Sequence, residues 1–162
     1  MKSCVVIYNP NSGHTLKTKH LKEYKTILEK HGYSARFIGT EYRGHAKEII
    51  SHLDKCDLVI SMGGDGTFNE AVTGNLQRKD RLVLAHIPVG TTNDVGVMFG
   101  YGKDIKRNLS LLLNGVTKEM DICIINGQPF VYVAGFGKFM HIPYQTSRTL
   151  KKKWGYLAYL IE

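Results

Sequence analysis

Leu58-Val59-Ile60-Ser61-Met62-Gly63-Gly64-Asp65-Gly66-Thr67 is the stretch on which the fold turns. Its first five residues, four of them apolar and two β-branched, make a short strand. The run then breaks into three glycines around one carboxylate. Phe68, Ala71 and Val72 follow at helical spacing, so the glycines read as the bend between a strand and a helix. A strand without polar alternation that feeds such a bend belongs to a parallel sheet covered on both sides.

The same unit recurs on either side. Upstream, Cys4 to Tyr8 runs into Asn9-Pro10-Asn11-Ser12-Gly13, and Leu16 to His31 places Leu21, Tyr24, Ile27 and Leu28 on one helical stripe that Gly32 stops. Ala35 to Thr40 is a second strand, and His45 to Lys55 a second helix through Ala46, Ile49, Ile50 and Leu53. Downstream, Leu82 to Ile87 leads into Pro88-Val89-Gly90-Thr91-Thr92-Asn93-Asp94. The order βαβαβαβ predicts an α/β domain of three layers, helices on both faces of a parallel sheet. A helix over Ile105 to Asn114, with Leu109, Leu112 and Leu113, is stopped by Gly115. Lys118 to Ile125 and Phe130 to Ala134 flank Asn126-Gly127, which predicts an antiparallel hairpin toward the C-terminus. Thr149 to Glu162 carries Leu150, Trp154, Leu157, Tyr159, Leu160 and Ile161 in a helical pattern without a C-cap. Its uncovered apolar residues predict that the protein continues, or that this surface meets something else.

The composition, 43% hydrophobic and 22% charged over 162 residues, is that of a globular chain and excludes disordered, collagen-like and coiled-coil classes. Seventeen glycines exceed the usual ~7%, and they gather at a few bends instead of repeating. No run reaches the ~20 apolar residues of a membrane span, and the first residues carry no secretory signal, so the expected location is cytoplasmic. Cys4, Cys56 and Cys123 are far apart and lie in or beside apolar runs, which reads as packed, reduced thiols. Twenty-two basic against 14 acidic residues give +8, a charge that favours anionic partners. The dense basic run is Lys151-Lys152-Lys153, with Arg148 before it and Trp154 after. It reads either as a solvated helix face or as a surface for acidic lipid headgroups, the latter peripheral to the inner face of a membrane. No stacking platform accompanies it, so nucleic acid is not expected as a partner. Oligomeric state is left open, a homo-oligomer included.

Ligands of an open parallel sheet bind outside the carboxyl ends of its strands. Three bends rich in Gly, Asn and Thr stand at such ends: Asn9 to Gly13, Gly63 to Thr67 and Gly90 to Asp94. Backbone N–H groups at a helix start, free of Cβ atoms, make an anion site, so the expected ligand carries phosphates. A carboxylate set among those glycines, Asp65, points to a metal or a nucleotide hydroxyl, the alternative being a cap on the next helix. Thr67 and Glu70 have capping-box spacing and stand as either cap or ligand. Other templates fail. There is no Walker loop, Gly135-Phe136-Gly137 lacks the third glycine of a dinucleotide fingerprint, and the seven histidines show no metal-site spacing.

Asn9-Pro10-x-Ser12-Gly13, Gly63-Gly64-Asp65-Gly66-Thr67-x-Asn69-Glu70 and Pro88-x-Gly90-Thr91-Thr92-Asn93-Asp94 together resemble the catalytic domain of the diacylglycerol kinase family, with the nearest likeness to soluble bacterial lipid kinases. Tyr132 to Gly137 and Gly155-x-Leu157-Ala158-Tyr159 are similar to it as well. The resemblance implies the N-terminal fold shared by NAD kinases and diacylglycerol kinases. It also implies ATP and Mg²⁺ as cofactors and a lipid hydroxyl, of diacylglycerol or a relative, as acceptor at an anionic membrane surface. The family's nucleotide contacts then fall on Asn9, Pro10, Asn11, Ser12 and Gly13, on Thr40, on Gly64, Asp65, Gly66, Thr67, Phe68, Asn69 and Glu70, and on Thr91. Asp65 becomes the candidate catalytic residue and the candidate metal carboxylate, while Asn93 and Asp94 hold the third bend. Members are about twice as long, and the resemblance places the proton-accepting base in a β-rich second lobe, expected to be absent or truncated here. Thr92 stands where many relatives have glycine. The alternatives are a NAD kinase-like enzyme and an inactive nucleotide- or membrane-binding module.

Overall fold

The computed structural model describes residues 1–12 and 18–135. Gly13, the Phe136-Gly137 pair, and the expected helix over Thr149–Glu162 with its Lys151–Lys153 run lie outside the described residues. The elements, in order, are β1 (Lys2–Tyr8), α1 (Thr18–Lys30), β2 (Tyr33–Gly39), α2 (His45–His52), β3 (Leu58–Gly63), α3 (Asp65–Leu76) and β4 (Leu84–Pro88). They are followed by α4 (Asp94–Met98), α5 (Ile105–Leu113), β5 (Cys123–Ile125) and β6 (Gln128–Phe130). The first four strands form one parallel sheet in the order β2-β1-β3-β4.

Successive side chains of a strand face opposite sides, and here both sides are apolar. Val6, Ile60, Met62 and Ile87 meet Tyr24 and Leu28 of α1 and Leu109 of α5. Val5, Ile7 and Val59 meet Ala46 and Ile50 of α2 and Ala71 of α3. At ~1.5–3 kcal/mol per fully buried large apolar side chain, these two layers are the main source of stability. Because α1 leaves β1 toward one face and α3 leaves β3 toward the other, the chain direction switches between these adjacent strands. That crevice is where an open α/β sheet binds ligands.

The helix ends have identifiable causes. Gly32, at φ +82°, ends the turn after α1 in the left-handed region that glycine tolerates. α2 stops at His52, earlier than Lys55, because Leu53 turns extended. Arg78 Nη1 then donates to the freed carbonyls of Ile50 and Leu53 at 2.8 and 2.6 Å. α5 starts as its sequence predicts, with the Asp104 carboxylate accepting from the amides of Lys106 and Arg107 at 2.9 and 3.2 Å.

The sequence reading is corrected at several points. The stretch Asp65-Gly66-Thr67 is not a loop: α3 begins at Asp65, with extended Gly64 as its N-cap. A capping box is ruled out with it, since Thr67 already lies inside the helix and packs over Gly63. α4 is an additional element where only a bend was expected. The hairpin is antiparallel, with Asn126 and Gly127 both at positive φ, but its first strand contracts to Cys123–Ile125 and its second lies earlier than expected, at Gln128–Phe130, sharing only Phe130 with the run Phe130 to Ala134. β6 packs on α3, and the base residues Ile122 and Val131 meet Phe68, Val72 and Val95, while β5 lies outside this contact. Cys123 is therefore exposed, whereas Cys4 is buried and Cys56 half-buried. Burial pushes the Cys4 thiol up to about 12, that of an inert, packed thiol. Among the described residues, no helix is long and apolar enough to cross a membrane.

Candidate functional site

Parallel strands deliver their carboxyl ends to one edge, so the segments after β1, β2, β3 and β4 share a rim. Backbone contacts tie the segments together there. The Asn9 amide donates to the Met62 carbonyl at 3.1 Å, which joins the first bend to the end of β3 across the crevice. The Val89 amide donates to the Gly63 carbonyl at 2.8 Å, joining β3 to the third bend. Thr40 is buried at the end of β2, its amide donating to the Tyr8 carbonyl at 2.8 Å.

Each bend is also fixed from within. The Asn9 side chain accepts the Asn11 amide at 2.9 Å and its carbonyl accepts the Ser12 amide at 3.1 Å. This closes a tight turn that buries Ser12 and leaves Asn11 exposed. In the third bend, Asn93 adopts φ +60° and its side-chain amide bonds Gly90 twice, accepting from the amide at 2.7 Å and donating to the carbonyl at 2.9 Å. Gly90 and Gly64 touch backbone to backbone: a Cβ on Gly90 would stand 2.6 Å from the Gly64 Cα. No other residue type permits that approach.

Asp65 is the latch between the second and third bends. Its carboxylate oxygens accept the amides of Asp94 and Val95, each at 3.1 Å. The carboxylate thus caps α4, not α3 as the structural alternative supposed, and it sits at the positive ends of both helices. Beside it, burial and then the charge of Asp65 raise the Asp94 carboxyl above its ordinary range. Beneath α3, His86 is 1% exposed and stacks on Phe68 with ring centroids 4.8 Å apart. Its Nδ1 lies 3.1 Å from the Ser61 carbonyl, while its Nε2 and the Ser61 hydroxyl have no hydrogen-bond partner. Desolvation lowers the His86 pKa to about 4, against the opposing charge of Asp65.

The structure brings together on the rim Asn9, Pro10, Asn11, Ser12, Thr40, Gly64, Asp65, Gly66, Thr67 and Thr91, the last of them exposed. Phe68 points the other way, 4% exposed in the core, so only its backbone belongs to the rim. Asn69 and Glu70 are half-buried further along α3. His86 and the latch of Asp65 onto α4 are functional features that the motifs do not single out. The inward parity of His86, two residues after Leu84 in an apolar strand, was the signal for the first. Nothing local signals the second, which joins residues 29 and 30 positions apart.

Residues 3–125 match the model of the diacylglycerol kinase catalytic domain. A diacylglycerol kinase of Bacillus subtilis is 38% identical over all of this chain and 54% of its own length. One from Staphylococcus epidermidis is 37% identical over 99% of this chain and 52% of its own. A crystal structure of a diacylglycerol kinase from Bacillus anthracis superposes with a TM-score of 0.67 at 29% identity, covering 80% of this chain and 48% of that one. The chain spans about half the length of the curated relatives it matches.

Proposed function

The chain belongs to the diacylglycerol kinase catalytic-domain family, and from that premise we propose that its rim holds the phosphates of ATP for transfer to a hydroxyl of diacylglycerol or a related lipid. The observation that carries the reading is the Gly64–Gly90 contact after β3 and β4, beside the switch point, where two bends meet without a side chain between them. The Thr67 and Phe68 amides donate to the Gly64 carbonyl at 3.0 and 3.2 Å, which leaves the Asp65 and Gly66 amides, ahead of the first hydrogen bonds of α3, as the donors for a phosphate. The first bend, Asn9 to Ser12, closes the crevice from the β1 side. Asp65 acts in this reading as a positioning residue that holds α4 and the third bend against the second.

Mg²⁺ fits this donor set. Among the described residues no group of three or more His, Cys, Asp or Glu could hold a metal alone. A Mg²⁺ that arrives with a nucleotide needs only one or two carboxylates besides phosphate oxygens and water, and Asp65 and Asp94 stand next to each other on the rim, joined by the Asp94 amide. When bound, the ion neutralises charge that develops on the transferred group. Transfer also requires a group to take the proton of the acceptor hydroxyl and a surface to exclude water. The lipid and its membrane are outside what the rim alone selects.

The test is transfer of labelled γ-phosphate from ATP, with diacylglycerol in anionic vesicles and NAD offered in parallel as acceptors. Label in the lipid and none in NAD is the expected outcome for a longer form that carries the second lobe the resemblance implies, while these 162 residues alone are expected to bind ATP and turn it over poorly. Label in NAD instead overturns the lipid reading, and an absence of ATP binding by calorimetry overturns the nucleotide reading.

A further inference from the structure

The rim has one built feature that phosphate binding does not use. Immediately after Thr40, the ring of Tyr42 stacks on that of His45, centroids 4.5 Å apart and planes 4° from parallel. Both rings are fixed. The Tyr42 hydroxyl donates to Glu48 Oε2 at 2.6 Å, and the Glu41 amide donates to His45 Nδ1 at 3.1 Å. Yet Tyr42 remains 53% exposed. Aromatic rings held parallel, by bonds at their edges and with apolar surface open to water, present a ready surface for another planar π system. Their side-chain entropy is already lost in the free protein, so little further ordering opposes binding.

Position selects the occupant. β2 is next to β1 and two strands from β3, so the Tyr42 end of β2 stands ~10 Å across the rim from Gly64. A ribose and a phosphate chain bridge such a gap. We propose that the stacked Tyr42–His45 pair receives the base of the nucleotide whose phosphates lie at the Gly64–Gly90 contact, and so helps determine which nucleotide is accepted. The inference rests on the phosphate-rim reading above. The rival role for the pair is to hold the start of α2 and no more.

Calorimetric titration of the whole chain with ATP and with inorganic tripolyphosphate separates these roles. Tyr42→Ala is expected to weaken ATP binding by ~10-fold, the range of one base stacked on one aromatic ring, and to leave tripolyphosphate unchanged. Tyr42→Phe, which keeps the ring and loses the bond to Glu48, is expected to restore most of that affinity. Equal ATP affinity in wild type and Tyr42→Ala overturns the platform. A parallel loss for tripolyphosphate overturns it too, because that is the signature of a disturbed rim. A wild-type chain that binds tripolyphosphate as well as ATP overturns the platform alone, whereas one that binds neither overturns the phosphate reading and the platform with it.

Discussion

Gly90 and His86 show how single residues carry the site in opposite ways, one by lacking atoms and one by hiding them. A methyl group on Gly90 meets backbone, the Gly64 Cα, which no rotamer change can move away. Gly90→Ala should therefore push the second and third bends apart. The expected result is loss of ATP affinity by more than ~10-fold with a fall in stability of ~1–3 kcal/mol, read by calorimetry and urea unfolding. Retained affinity would show that the two bends do not act together. His86 is buried with its Nε2 unpaired, and its pKa falls from 6.5 to about 4. Below 6.5 the unfolded chain takes up a proton that the folded chain refuses. Stability is thus full above 6.5, declines as pH falls toward 4, and by that point has lost on the order of 3 kcal/mol. Urea midpoints measured from pH 7 to pH 4 should show this slope, and His86→Leu should flatten it. An unchanged slope in the variant would assign the acid sensitivity to other groups.

At the scale of elements, the α/β alternation was legible because the central strands β1 and β3 are apolar and the helices α1, α2 and α5 amphipathic, as with Leu21, Tyr24 and Leu28 along α1. The candidate site was legible for a related reason: parallel strands put all their carboxyl ends on one edge, so bends far apart in sequence had to be neighbours. What was not legible depends on distant partners. Asp65-Gly66-Thr67 looks like loop by composition, and only the N-capping geometry of Gly64 shows it to be the first turn of α3. α4 has five residues and little periodicity, and it exists because Asp65 caps it and Asn93 turns into it. The hairpin was placed by Asn126-Gly127, but its strand lengths follow from packing on α3, which no local pattern encodes. The α2–α3 interface is likewise hidden in one residue. A Cβ on Gly74 would collide with the Lys47 carbonyl oxygen, so the helices approach each other through that glycine. Gly74→Ala is helix-favouring by ~1 kcal/mol in isolation, yet it should destabilise the chain by ~1–3 kcal/mol through overpacking. Its thermal midpoint decides between the two, and an increase would mean that α2 yields without cost.

Across the whole molecule the net charge of +8 is an attraction without an address, since a nucleotide and an anionic bilayer both answer it. The two differ in how they respond to salt and to where the charges lie. Phosphates gripped by rim amides sit within direct hydrogen-bond reach and respond weakly to ionic strength. A surface attraction to lipid headgroups decays over a Debye length of ~10 Å at 0.1 M salt. Lys151, Lys152 and Lys153 are the densest positive charge in the sequence, far along the chain from every rim segment. At ~1 kcal/mol for each basic residue near an anionic surface, replacing all three by Gln should reduce partition onto anionic vesicles by up to roughly 100-fold in low salt. ATP affinity should not change. Sedimentation with anionic and with neutral vesicles, at low and at high salt, checks the first half, and calorimetry the second. Binding to neutral vesicles that persists in high salt would place the membrane contact on apolar surface instead, and the exposed Val97 and Met98 of α4, beside the rim, would become the residues to replace.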